Sequence, residues 1–357
     1  MFKALTLIPY LALALALASP APAAELSRAA GSRKAYLGLA IHSTANEYWN
    51  QQAEGGRLFA ATLPPGAIET RILTCDSDAE KQLDGLKDFI ALHGRDAILY
   101  VDPAGAANTA AIAELCEEAG VFWTSVWHLA VGLKPQDFHY FVMHQSVDGV
   151  KQGYDIAVEL FNSFPTPGRG RILALQGPLD NDSSVERYEG LQKALAEYDV
   201  ELLDTQVSNW DSRAARAATE IWLAQFPDID GIWSANDDMA LGAIQALKAA
   251  GRGGRIKVVG VDGVSAALAA IENGDMVCTV ANNGYLQGGY GAAYAYKAWA
   301  GEINPAALPD RQRAFYTEGR LVNKNNLDQY RRDFIAGVPY YDYNNLEFPI
   351  SRPRSLR

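Results

Sequence analysis

Along most of the chain, short apolar runs alternate with stretches whose apolar residues recur at helical spacing. "AYLGLA" (35–40) reads as a strand and "EYWNQQAEGGRLFAATL" as a helix, with "IETRILTC" the next strand. From Asp78 to Leu92, the residues Leu83, Leu86, Phe89 and Ile90 share a helical face, and Gly94 is placed to end it. "DAILYV" is a third strand, stopped by Asp102-Pro103, and "VFWTSV" is a fourth. The pattern then restarts with the strands "GRILALQG", "DVELLDTQVS", "DGIWSAN", "IKVVGVDG" and "MVCTVANN", most of them separated by helices. Strands this short and apolar suit a parallel sheet covered on both faces. Repeated β-α units therefore predict an α/β protein of two doubly wound, Rossmann-like lobes, with "FHYFVMHQSVDGVKQG" (138–153) as a crossing between them.

Two of these strands end abruptly in polar side chains. "GIWSANDDMALGAIQALKAAG" passes from an apolar run into Asn236, Asp237 and Asp238 and then into a helix, and "VVGVDG" releases Asp262 in the same way. Open α/β sheets bind ligands beyond the carboxyl ends of their strands, so two facing lobes would enclose a cleft. Asp237 and Asp238 suit a helix's first turn, where the dipole favours negative charge. After about residue 310 the rhythm changes. "FYTEGRLVNKNNLDQY" has room for one more strand and a short helix, and "AGVPYYDYNNLEFPISRPRSLR" has no period of either kind.

The first residues read as an export signal: Lys3, the apolar "LTLIPYLALALALA", and the small residues "APA" for cleavage after residue 23. No later stretch is long and apolar enough to span a bilayer. The chain has 357 residues, enough for two cores, and a formal charge of −11 that argues against nucleic acid or an anionic membrane surface as partner. Cys75, Cys116 and Cys278 match no zinc spacing and read as buried free thiols, although one disulfide among them is allowed.

With these motifs in hand, the chain resembles the sugar-binding (ribose- and galactose-binding-like) type I periplasmic binding proteins of ABC importers. The resemblance rests on "HSTANEYWNQQAEGGRLFA", "LALQGPLDNDSSVERYEGLQKAL", "SANDDMALGAIQALKAAG", "VVGVDG" and "TVANN", in this order. It implies two lobes joined by a three-strand hinge, closing over a small ligand in the interlobe cleft. The lobes would comprise 35–143 with 283–312, and 146–281 with the C-terminal extension 314–357. It further implies a periplasmic monomer, not embedded in the membrane, whose partners are a small sugar- or polyol-like molecule and an ABC permease. The same fold carries the effector domain of LacI-type repressors, but an export signal stands here where a DNA-binding headpiece would sit.

The resemblance assigns ligand contacts to Asn46, Tyr48, Trp49, Asn236, Asp262 and Asn282. The chemistry is apt, since amides donate and accept, a carboxylate makes strong hydrogen bonds to hydroxyls, and aromatic faces pack on sugar C–H groups. Helix capping is the competing role for Asn46 and Asn236. Relatives carry an Asp, often with Arg, after the fourth strand; Trp127 and His128 stand there instead. The ligand-binding arginine position falls on Val185, while Arg187 matches an arginine without ligand contact. Trp210 offers a further aromatic from the second lobe. The expected pocket is accordingly less charged and more aromatic than the family's.

No nucleophile elbow, H-E-x-x-H or phosphate loop is present, and "GYLQGGYG" has the spacing of helix packing, not of a dinucleotide loop. The five histidines are scattered without metal-ligand spacing, so neither cofactor nor metal is expected. The reading is a binding protein, not an enzyme. The alternatives are a sensory protein of the same fold feeding a chemoreceptor or histidine kinase, and a binder of a non-sugar molecule.

Overall fold

The computed structural model describes residues 33–335 and 341–354. The leader expected over residues 1–23 lies outside them.

The alternating pattern folds into two parallel-sheet lobes. In the first, β1 (Ala35–Ile41), α1 (Glu47–Ala60), β2 (Ile68–Thr74), α2 (Ala79–His93), β3 (Ala97–Val101), α3 (Ala106–Ala119), β4 (Phe122–Val126) and β5 (Phe141–Ser146) follow in turn. The second begins with α4 (Gly149–Asn162), β6 (Arg169–Gln176), α5 (Asp182–Leu195), β7 (Asp199–Val207) and α6 (Ser212–Gln225). It continues with β8 (Gly231–Ser234), α7 (Asp237–Ala249), β9 (Lys257–Asp262), α8 (Ser265–Asn273) and β10 (Cys278–Ala281). α9 (Gly284–Trp299) returns to the first lobe and packs along α1. The chain then runs through α10 (Asp310–Arg313), β11 (Ala314–Tyr316), β12 (Arg320–Asn323), α11 (Leu327–Phe334) and β13 (Arg352–Pro353).

Strand order is β13-β11-β5-β4-β3-β1-β2 in the first sheet and β12-β10-β9-β8-β6-β7 in the second. β3 is buried along its whole length, as a central strand covered by helices on both faces must be. The edge strands β2 and β7 expose part of theirs, which is why their sequences mix polar with apolar residues. The chain crosses between lobes four times: after β5, after β10, between β11 and β12, and between α11 and β13, which returns to the first sheet.

The C-terminal region departs from expectation. Residues 314–330 hold two strands, not one, and β11 joins the first sheet beside β5 while β12 joins the second. Residues 341–354, expected with the second lobe, pack on the first. The cause lies in α9, whose Tyr290 and Tyr294 are fully buried yet carry hydroxyls that need acceptors. The returning segment supplies them: Tyr290 donates to the Asp342 carbonyl (3.1 Å) and Tyr294 to that of Leu346 (2.7 Å). Tyr343 then packs edge-on against Phe59 and Tyr290. Irregular backbone chosen by partner hydroxyls has no period to read. Cys75, Cys116 and Cys278 are all buried, free thiols.

Helix packing in both lobes depends on glycine. A Cβ at Gly288 of α9 would lie 1.8 Å from the Gln52 carbonyl oxygen of α1, and one at Gly153 of α4 would lie 1.9 Å from the Arg187 carbonyl oxygen of α5. Each pair is therefore in backbone contact, the role foreseen for the Gly-rich "GYLQGGYG". Gly288→Ala should lower stability by about 1–3 kcal/mol or more through overpacking. Gly85→Ala, at a helical glycine with nothing within 4 Å of the added methyl, should leave it unchanged or raise it by about 0.4–1 kcal/mol. Calorimetric unfolding of the two variants checks the contrast.

Candidate functional site

The carboxyl ends of the two sheets face each other across a cleft lined by His42, Asn46, Tyr48, Trp49, Asp102, Trp127, His128, Asn181, Ser183, Arg187, Trp210, Asn236 and Asp262. Eight of the nine residues singled out in the sequence lie on its wall; Asn282 alone stands behind it.

Asn46 does two things at once. Its side-chain oxygen caps α1, accepting from the Tyr48 and Trp49 backbone N–H groups, and its amide nitrogen donates across the cleft to Asp238 at 2.5 Å. Asn236 caps α7 in the same way, accepting from Met239 N at 3.0 Å, which leaves its NH2 group as the donor for the cleft. A second bridge lies at the rim. Glu47 accepts from the backbone N–H (3.1 Å) and hydroxyl (2.7 Å) of Ser265, so a carboxylate of one lobe caps helix α8 of the other.

Asp262 ends β9 and is buried, facing Arg187 Nη2 at 3.5 Å. Arg187 also donates to the Ala235 carbonyl at 2.7 Å. Its guanidinium lies over the Trp127 ring of the first lobe (5.3 Å) and the Trp210 ring of the second (5.8 Å). This corrects the register read from the sequence. Val185 is 48 % exposed and turned away from the cleft, whereas Arg187 is 3 % exposed and inside it. The reason is helical phase, because residues 183 and 187 share a face of α5 and residue 185 points oppositely. Beside the aromatics, the walls carry the expected Asp262 carboxylate and add Arg187 and Asp102, two charge-bearing groups that the sequence reading did not place there.

Trp127 (φ 64°), Trp210 (φ 62°) and Asp262 (φ 128°) all adopt backbone conformations rare for side chains of their kind. Strain of this sort persists where surrounding structure over-determines it. Tyr48 is buried, meets Trp127 edge-on and donates its hydroxyl to Gln287. Trp49 stacks on His42, with ring centroids 4.9 Å apart. Asn282 accepts from Gln152 at 2.7 Å, and its backbone N–H donates to the Asp262 carbonyl, so it holds the end of β9 in place.

His42 and Asp102 escaped the sequence reading. Both follow the strand-end signal that singled out Asn236 and Asp262, since His42 follows β1 and Asp102 follows β3. The fold also gathers His42, Asp102 and His128, remote in sequence, so that one ligand atom of each lies within 4.8 Å of the others. Burial depresses the His128 pKa, leaving the ring neutral. His128 Nε2 faces the Asn181 amide of the opposite lobe at 3.3 Å.

Two carboxyls at the floor of the second lobe are raised. Asp237, fully buried, is pushed up to about 8 by burial and by its neighbour Asp262, against hydrogen bonds from Thr279 and from the backbone of Gly263 and Val264. Burial raises Asp262 to about 7, against the pull of Arg187.

Residues 37–303 match the family described as "Periplasmic binding protein domain". The xylitol-binding protein of Mycolicibacterium smegmatis is 40% identical over 137 residues, which span 38% of this chain and 39% of that protein. A twin-arginine translocation pathway signal protein from Burkholderia phytofirmans superposes with a TM-score of 0.86 at 33% identity, over 91% of this chain and 100% of that one. An ABC transporter periplasmic solute binding protein from Actinobacillus succinogenes 130z, with bound D-allose, gives 0.72 at 26% identity, over 83% and 100%.

The raised carboxyls imply a pH dependence with a definite sign. An unfolded Asp loses its proton near pH 3.9, whereas folded Asp237 keeps it to about 8. The folded state binds the extra proton between these values, so this contribution to stability is complete at low pH and is lost as pH rises through about 8. Asp237→Asn, which cannot ionise, should flatten the fall in urea-unfolding midpoint between pH 5 and 9, scanned in parallel with the parent protein.

Proposed function

The chain belongs to the periplasmic binding protein domain family, and from that premise we propose that it is the solute-binding component of an ABC importer. Its ligand is a small neutral polyhydroxylated molecule: a sugar, a polyol or a sugar derivative. The observation that carries this reading is the composition of the cleft, in which aromatic faces alternate with fixed amide, carboxylate and guanidinium groups. Such a lining packs on C–H surfaces while exchanging hydrogen bonds with hydroxyls. The xylitol-binding relative and the D-allose-bound neighbour bracket the same ligand class.

In this reading Tyr48, Trp49, Trp127 and Trp210 supply contact area, while Asn46, Asn236, Asp262 and Arg187 fix orientation. Asn282 positions Asp262 without touching the ligand. Closure about the crossings between them brings the lobes together over the solute, and the closed form docks on a membrane permease as a monomer. Residues 1–23 direct export and are removed. The family is one of binding proteins, and no turnover of the solute is proposed.

A thermal-shift screen of purified, ligand-stripped protein against sugars, polyols, glycosides and other small solutes tests the ligand class. A ligand at a hundredfold excess over Kd adds about 2.7 kcal/mol of stability. A hit among neutral polyhydroxylated compounds is expected; hits confined to other solutes would retire the class. With the ligand found, Asp262→Ala should weaken binding by well over tenfold, about 2–3 kcal/mol for a buried charged acceptor. Unchanged affinity by calorimetry, with the fold intact, would remove Asp262 from the site.

A further inference from the structure

The first lobe's half of the cleft ends in a cluster of His42, Asp102 and His128. Asp102 is 1 % exposed, and its Oδ1 has no hydrogen-bond partner among the described residues. The nearest basic atoms are His42 Nε2 at 3.4 Å and His128 Nε2 at 4.0 Å. Arg187, the cation on the cleft wall, is engaged with Asp262 in the other lobe. A carboxylate so enclosed is costly unless a positive charge joins it.

We propose that His42, Asp102 and His128 bind one divalent transition-metal ion of the zinc class. Two imidazoles and one carboxylate are the donors such ions prefer, and they do not suit calcium or magnesium. An ion about 2.0–2.2 Å from each donor in tetrahedral geometry sets neighbouring donors about 3.4 Å apart. The His42–Asp102 pair already has that spacing, and His128 needs only a small approach. His42 Nδ1 lies 2.9 Å from Ser77 Oγ, and the ring is stacked on Trp49. A proton on Nδ1 donated to Ser77 turns the Nε2 lone pair toward the ion, the outer-shell arrangement that metal-binding histidines use. Without the ion, Nε2–H donates to the Pro103 carbonyl at 3.1 Å, so binding shifts the ring tautomer. Asn181, which faces His128 Nε2, belongs to the second lobe and withdraws when the lobes part, leaving that nitrogen free. Three protein ligands leave a coordination position open to the cavity, where water or a solute oxygen completes the shell.

The inference concerns the ion alone and stands apart from the solute assignment. Chelator-stripped protein is titrated with Zn2+ by calorimetry and with Co2+ by visible absorption. One equivalent should bind saturably, and Co2+ should give the bands of a four-coordinate nitrogen–oxygen site. Asp102→Asn and His128→Gln should each weaken binding more than tenfold while unfolding cooperatively. His139→Gln, at the exposed pair His139–Glu117, should change nothing. Absence of stoichiometric binding, affinity in the two cleft variants equal to the parent's, or loss confined to His139→Gln overturns the site. A polyol hit in the presence of chelator, with no Zn2+ binding, overturns this inference and leaves the proposed function standing. Stoichiometric Zn2+ binding lost in the cleft variants, with no polyol hit, supports the metal site while the solute assignment falls.

Discussion

Arg187 places a permanent positive charge where almost no water reaches, and much of the cleft is arranged around that constraint. An enclosed guanidinium is tolerable only when its N–H groups meet acceptors and its charge meets an anion. The Ala235 carbonyl and the Asp262 carboxylate serve, one just past the end of β8 and the other at the end of β9. These strands are neighbours, so the register of the second sheet sets the geometry. Trp210 covers the charge from its own lobe and Trp127 from the other. The first lobe thus helps to desolvate an ion pair that the second lobe builds, which couples the polarity of the pocket to the approach of the lobes.

The same crowding explains the strained backbone and the raised carboxyls. Trp127 and Trp210, the two rings that cover Arg187, are both held at positive φ. Asp237 directly follows Asn236 of the cleft wall and ties the β9–α8 junction to helix α7 through Gly263, Val264 and Thr279. Its proton reduces repulsion against Asp262, whose carboxyl burial raises to about 7 against the pull of Arg187.

The sequence disclosed what repeats and hid what depends on partners. Buried parallel strands leave apolar runs that can be seen one at a time, which is why both sheets were legible. The strand-end rule found Asn236 and Asp262 and, applied to every strand, would also have found His42 and Asp102. Arg187 rather than Val185 faces the cleft because helical phase, which the Ser183–Arg187 spacing supplies, decides which side of α5 looks inward. Nothing local announces that residues 341–354 cross back to the first lobe. Their position follows from the hydroxyls of Tyr290 and Tyr294, on an element some fifty residues earlier in the chain.

The Glu47 cap on α8 bears on how faithfully such a protein reports its own occupancy. It joins the lobes at a solvent-exposed rim, where charged contacts are worth little, about 0–1 kcal/mol. In the parted arrangement, water can satisfy the same donors. The rim therefore aligns the two halves without latching them, and any strong adhesion must come from the enclosed interior. If the lobes part and close as proposed, the task of telling filled molecules from empty ones falls to the enclosed interior, because the rim contributes alike to both.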